Sequence, residues 1–424
     1  MPDRKSAPEI VDAVQFDLRL KQVQSYTLRN GVKVYAIDAG AEEVLSMEWV
    51  FNAGNWFEEK NLIAATTNFL LRNGTSSRTA FQINEHFEYY GSYLNRACYN
   101  ETASITLHCL NKHVQELLPL VKELIVDSVL PQNELDIYKQ NMKQRLKVNL
   151  KKSDFVAGRL IDVSLFGEQH PYGKFSRMED FDGLNREKLL EFYKQYYQNG
   201  ELILFVAGKI PTDLIALLDR YFGDLSNNKI VAKPIGAIPS AQKKARVTND
   251  AEGVQGSIRI ARHFPNRHHP DFLKAMVLNT VFGGFFGSRL MSNIREDKGY
   301  TYGIHSYLQN HIHESAWAIS TEAGKDVCEA TITEVYHEMK RLREDVLDEE
   351  EMLLVRNYMM GSILGDLDGP FHIISRWKNI ILNDLTEQYF YDSINTIKTI
   401  SAEELRSLAQ KYFQPEDFYE LVVV

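Results

Sequence analysis

Apolar and polar residues alternate with a period of two from Tyr26 to Leu28 and again from Val32 to Ile37, and Asn30-Gly31 separates the two runs. Alternation sends successive side chains to opposite faces of a strand, and Asn-Gly suits a tight turn, so this segment predicts a β-hairpin. A second strand is predicted over 44–53. Over 61–71 the apolar positions Leu62, Ala65 and Phe69 move to helical spacing. The stretch 92–109 reads as two alternating strands, with Thr102, Ser104, Thr106 and His108 on one face. The stretches 114–126 and 134–150 read as helices. Strands at both ends with helices between them give α+β layering.

The pattern then repeats. A helix ends and an apolar strand opens from Lys194 to Val206, and the same happens from Gln410 to Val422. Tyr196 and Tyr412 stand 216 positions apart, and Val129-Leu130 and Val346-Leu347 stand 217 apart. Two features with nearly one offset indicate an internal duplication. Between the halves, Pro234, Gly236 and Pro239 lie among polar residues and read as a linker. The expected organisation is a domain over 1–226, a linker over 227–244 and a second domain over 245–424. Each domain is expected to be a largely antiparallel mixed sheet packed with helices.

The 424 residues are 44% apolar and 25% charged, the balance of an ordinary globular chain. A net charge of −9 disfavours nucleic acid as a partner. Cys98, Cys109 and Cys328 have no regular spacing, which argues against a disulfide framework and for a reducing compartment. Residues 1–10 lack the apolar core of a secretory signal. No run approaches the ~18 apolar residues of a membrane span. The expected location is the cytoplasm.

The chemistry is most legible over 61–79, where Gly74-Thr75 and Arg78-Thr79 follow the predicted helix. This stretch resembles the segment of the insulinase/pitrilysin metallopeptidases that carries the inverted zinc motif H-x-x-E-H. The resemblance places the two His positions on Ala65 and Phe69 and the Glu position on Asn68. Neither Ala65 nor Phe69 has a lone pair for a metal, and the Asn68 amide is no general base near neutral pH. The third ligand in the family is a Glu on a later helix. The corresponding window, 137–153, has no carboxylate and carries Lys139, Lys143, Arg145, Lys147, Lys151 and Lys152 instead. Its basic face is either solvated or a contact for a partner or an acidic substrate. His268, His269, His311 and His313 remain; the last two lie in a strand-like run, where alternation would put them on one face.

The second half keeps Gly283, Gly284, Gly287, Ser288-Arg289-Leu290, Arg295, Gly299 and Tyr302. No Lys-Ser/Thr follows the glycines, so they are not a phosphate cradle. This series also resembles the insulinase/pitrilysin family, as do His170-Pro171-Tyr172-Gly173 and Leu225-Ser226. In that family an Arg and a Tyr seven residues on grip the substrate carbonyl and stabilise the oxyanion, which the resemblance assigns here to Arg295 and Tyr302. It implies a non-catalytic, substrate-binding subunit of a heterodimeric zinc endopeptidase. No metal is expected in this chain; zinc would sit in a homologous partner, and the substrates would be peptides. Two alternatives stay open: an inert structural or peptide-binding scaffold, such as the respiratory-complex core subunits that resemble the family, and a homodimeric zinc peptidase with another metal site.

Overall fold

The structure is a computed structural model that describes residues 11–424; the stretch 1–10, read above as lacking a secretory signal, lies outside the described residues. Among the described residues, eleven strands form two sheets. The first contains β1 (Gln24–Thr27), β2 (Lys33–Asp38), β3 (Val44–Phe51), β4 (Tyr93–Cys98), β5 (Ala103–Leu110) and β6 (Leu202–Gly208) in the order β1-β2-β6-β3-β5-β4. The second contains β7 (Lys244–Val247), β8 (Gln255–Phe264), β9 (Ile304–Asn310), β10 (Ser315–Gly324) and β11 (Tyr419–Val423) in the order β7-β11-β8-β10-β9.

Without β1, the two orders are the same. The last strand of each half enters beside the first and runs parallel to it, β6 along β2 and β11 along β7. The outer pairs, β4–β5 and β9–β10, are antiparallel in both. Each of β2, β3 and β4 starts 211 positions before its counterpart. The duplication read from sequence is therefore a duplication of sheet topology, and both sheets are mixed and rich in antiparallel pairs.

The sequence-predicted elements are present. The hairpin is β1–β2, and Gly31 takes φ +88° in its turn. The helices are Ile63–Leu70, Val114–Asp127 and Gln132–Asn149. One expectation fails: His311 and His313 lie in the turn between β9 and β10, so strand alternation does not place them. A polar, solvated hairpin tip mimics a strand when it joins two strands of β-rich composition.

Two compact units can be distinguished. One comprises 21–259, 369–378 and 419–424; the other comprises 260–368, 379–418 and the described residues up to Leu20. In the first, Met47, Trp49 and Phe51 of β3 are fully buried, with the Trp49 ring 5.2 Å from Phe222 and the Phe51 ring 4.8 Å from Tyr197. In the second, Trp317 of β10 lies 5.3 Å from Phe264 and 4.7 Å from Phe413. Its indole N–H donates to Ser306 Oγ (2.9 Å), so that buried donor is satisfied.

Of the 227–244 segment, read as a linker, 227–243 has no helix or strand, while Lys244 opens β7. The segment is strapped to the first unit: Ile238 N donates to Phe166 O (3.0 Å) and Ser240 N to Ser164 O (2.9 Å). Trp56 Nε1 and His170 Nε2 donate to Lys233 O and Ile235 O, each at 3.1 Å. Among the described residues no helix is long and apolar enough to cross a membrane.

Two glycines separate backbone constraint from chain entropy. Gly208 ends β6 at φ +126°, where an added Cβ would stand 2.1 Å from Val44 O. Gly158 lies within the helix Ser153–Phe166 and an added Cβ there meets nothing within 4 Å. Gly208→Ala is expected to destabilise by about 1–3 kcal/mol and Gly158→Ala to stabilise by about 0.4–1 kcal/mol, read from urea unfolding midpoints.

Candidate functional site

The helix Ile63–Leu70 starts under restraint. Leu62, just before it, sits at φ +73°, a left-handed conformation that costs a non-glycine residue about 1–2 kcal/mol. Glu58 helps to hold this entry: its Oε2 accepts from Ala64 N (2.9 Å) and its Oε1 pairs with Lys174 at 2.7 Å. The Glu58 side chain is 1% exposed. Burial pushes its carboxyl up, against the opposing pull of the Lys174 charge.

Ala65, Asn68 and Phe69 lie on this helix as the sequence predicts, but none faces a ligand set. Asn68 is buried, and its Nδ2 donates to Ser104 O (3.3 Å) and Tyr197 Oη (3.1 Å). The Phe69 ring packs 4.7 Å from the Tyr138 ring and lies under the Arg96 guanidinium, 4.9 Å from ring centroid to Cζ. Tyr138 comes from the helix Gln132–Asn149, which carries most of the window searched for the third ligand. An aromatic pair and a guanidinium thus occupy the face on which zinc ligands would stand. The donor set does not fit zinc: a methyl group, an amide already engaged and a stacked phenyl ring offer no coordinating lone pair. Among the described residues no group of three or more His, Cys, Asp or Glu is placed to hold a metal ion.

The trailing motif is structural. Gly74 takes φ +153°, and a Cβ there would stand 2.8 Å from Pro131 Cγ. Thr75 Oγ1 accepts from Arg78 N (3.0 Å), and both Thr75 and Arg78 bond the Glu123 carboxylate. Thr79 caps the helix Ala80–Tyr89 in a reciprocal box with Gln82. Retention of these residues follows from turn and cap geometry, without any metal.

Arg96 and Tyr138 were not singled out by the sequence reading. Arg96 lies on β4 between Leu94 and Cys98, at an inward position of the strand. A charge at such a position was the available signal. The Nε and Nη1 of Arg96 are fully buried without a hydrogen-bond partner. Burial, and after it the nearby Arg72 charge, push this guanidinium down to about 9.

The remaining candidates belong to the other unit. Gly283 admits no side chain, because a Cβ would meet Ser306 and Leu290 atoms at 2.8–2.9 Å. A Cβ on Gly284 would stand 3.1 Å from Asn279 O, and one on Gly287 would stand 2.8 Å from the Phe285 ring. Arg289 makes a two-pronged pair with Glu351, 2.8 Å at each prong. Arg295 and Tyr302 are brought together: Arg295 Nε donates to Tyr302 O (3.0 Å), and the guanidinium lies 4.6 Å from the Phe286 ring centroid. Tyr302 is 95% exposed, so its phenol is open to solvent.

Residues 183–359 match the family model described as the peptidase M16 inactive domain. An uncharacterized zinc protease of Bacillus subtilis is 23% identical over 401 residues, 93% of this chain and 97% of the relative. A probable β subunit of the mitochondrial processing peptidase of Schizosaccharomyces pombe is 23% identical over 274 residues, 63% of this chain and 60% of the relative. Among solved structures, the peptidase M16 inactive domain from Pseudomonas fluorescens superposes with a TM-score of 0.86 at 20% identity, covering 95% of this chain and 98% of that one.

An unpaired buried cation opposes folding. Arg96→Met is therefore expected to raise stability by about 1–3 kcal/mol, measured by thermal or urea denaturation. The triple variant Ala65→His, Asn68→Glu, Phe69→His restores the motif on the helix but supplies no downstream carboxylate. It is expected to retain no stoichiometric zinc after dialysis against a chelator, measured by elemental analysis.

Proposed function

Because the chain belongs to the insulinase-like peptidase M16 family, we propose that it is the non-catalytic, substrate-gripping subunit of a two-chain zinc peptidase. The observation that carries this reading is the asymmetry between its halves. The metal face of the first is filled by Phe69, Tyr138 and Arg96, while the second keeps Arg295 and an open Tyr302 side by side. A homologous partner would supply the H-x-x-E-H helix and the downstream Glu. This chain would supply donors to a peptide carbonyl as it becomes an oxyanion.

The donor chemistry suits that task. Guanidinium and phenol both donate hydrogen bonds without losing a proton. The bond from Arg295 Nε to Tyr302 O ties the position of one donor to the backbone of the other. Preorganised donors cost little reorganisation when charge develops, and each is worth about 3–4 kcal/mol in the barrier. The kinship to a processing-peptidase subunit supports work in an assembly, with peptides as the substrate class. The three free thiols support a reducing, cytoplasmic setting.

The test is affinity purification of this chain with its native partner, followed by zinc analysis and peptide cleavage. The complex is expected to hold zinc and to cleave, while the isolated chain is inert. Arg295→Ala and Tyr302→Phe are each expected to lower kcat by about 10²–10³-fold with zinc content unchanged. A complex whose kcat ignores both substitutions would leave the chain as a scaffold. Zinc bound stoichiometrically by the isolated chain would instead point to a separate metal site and a homodimer.

A further inference from the structure

The face on which zinc ligands would stand holds the Arg96 cation over the Phe69 ring. Arg96 projects from β4, the edge strand of its sheet, over the Phe69 ring. Among the described residues it has no ion-pair or hydrogen-bond partner, and two of its nitrogens are wholly buried. Arg72, three positions after Phe69, is close enough to repel it, and its Nη1 is taken up by Leu94 O at 2.9 Å. Arg145 stands near Tyr138 on the helix Gln132–Asn149 and is exposed. No carboxylate occurs from 137 to 153.

Such an arrangement is costly in a free chain. Buried charges are ordinarily paired, and a charge left alone opposes folding. Here an acidic protein of net charge −9 places Arg96 over the Phe69 ring with Arg72 close by and Arg145 near Tyr138, while Glu58, the carboxylate that acts on Tyr138, is already paired with Lys174. The guanidinium is a planar fork that matches a carboxylate, and aromatic packing fixes its plane in advance. The surroundings suit an extended peptide, because β4 ends its sheet.

We propose that this face is a carboxylate site, in which Arg96, with Arg72 close by and Arg145 near the Tyr138 wall, receives an acidic side chain or the C-terminal carboxylate of a bound peptide. Phe69 and Tyr138 form its apolar wall. The proposal rests on the peptide-gripping reading above and deepens it, because it gives the chain a substrate preference as well as a grip. The incoming anion supplies the pairing that the fold withholds from Arg96. The position once suited to hold a metal therefore selects peptides by charge.

Fluorescence anisotropy on the full chain tests this with labelled peptides of one sequence. One version carries a single acidic residue and a free C-terminus, a second replaces the acid by its amide, a third blocks the C-terminus as an amide, and a fourth does both. The first is expected to bind about tenfold or more tighter than the fourth, and the second and third tell which carboxylate is read. Arg96→Met is expected to erase the difference, Arg96→Lys to keep part of it, and the exposed Arg145→Ala to shrink it without risk to folding. Equal affinity across the four peptides overturns the proposal, as does a difference that survives Arg96→Met. Peptides bound without charge preference sink the carboxylate site alone, whereas no peptide binding by the chain or its native complex sinks the gripping function as well.

Discussion

The insertion of each half's last strand into the interior of its sheet is the constraint on which the other features rest. β6 lies between β2 and β3 and is buried on both faces, and β11 takes the same place in the second sheet. A strand buried on both sides reads as a near-continuous apolar run, as Leu202 to Ala207 does. Neither sheet closes until its final residues arrive, so the decisive pairings are long-range and carry a large loop-closure cost. The insertion also sets the floor of the candidate site. Phe51 of β3 pairs with Leu202 of β6, and Tyr197, just before β6, stacks on Phe51 and bonds Asn68. The partner of Asn68 is thus delivered by the last strand of the first half.

The site that results has traded one electrostatic problem for another. A zinc helix concentrates lone pairs around a cation. This helix presents a methyl, an engaged amide and a phenyl ring, and a cation arrives from β4 instead. The Asn68 amide is satisfied by Tyr197 and Ser104, so it behaves as part of the core. Arg96 leaves two buried nitrogens unsatisfied, as the hydroxyls of Thr66 and Thr67 on the neighbouring helix also are, but it alone of these three carries a charge, and an unsatisfied buried cation is where a function is to be sought. Restraint at the helix start, from Leu62 and the Glu58–Lys174 pair, keeps that face in place without a metal to organise it.

Much of this was legible in the sequence. Period-two and helical spacing located β1 to β5 and the helices around them, because those signals come from residues within one or two turns of each other. The turn chemistry of Asn30-Gly31 and the cap at Thr79 are equally local. The sequence misread the hairpin tip at His311 and His313, whose local composition resembles a strand. Arg96 was overlooked although its inward position between Leu94 and Cys98 was visible, since alternation places a side chain on a face without saying what waits there.

By itself, then, the sequence determined β1 to β5 with the helices around them, the twofold plan and the absence of ligand chemistry at Ala65, Asn68 and Phe69, all of which follow from residue identity and spacing. The tertiary structure alone decided that Tyr138, some 70 positions on, and Arg96, from a different strand, close over Phe69. It alone decided that Tyr197 answers Asn68, that the linker is strapped down at Ile238 and Ser240, and that Arg295 reaches the Tyr302 carbonyl. The reason is physical: identity fixes what a side chain can donate, accept or bury, but only the closed sheets bring residues far apart in the chain within the few ångströms at which those capacities act.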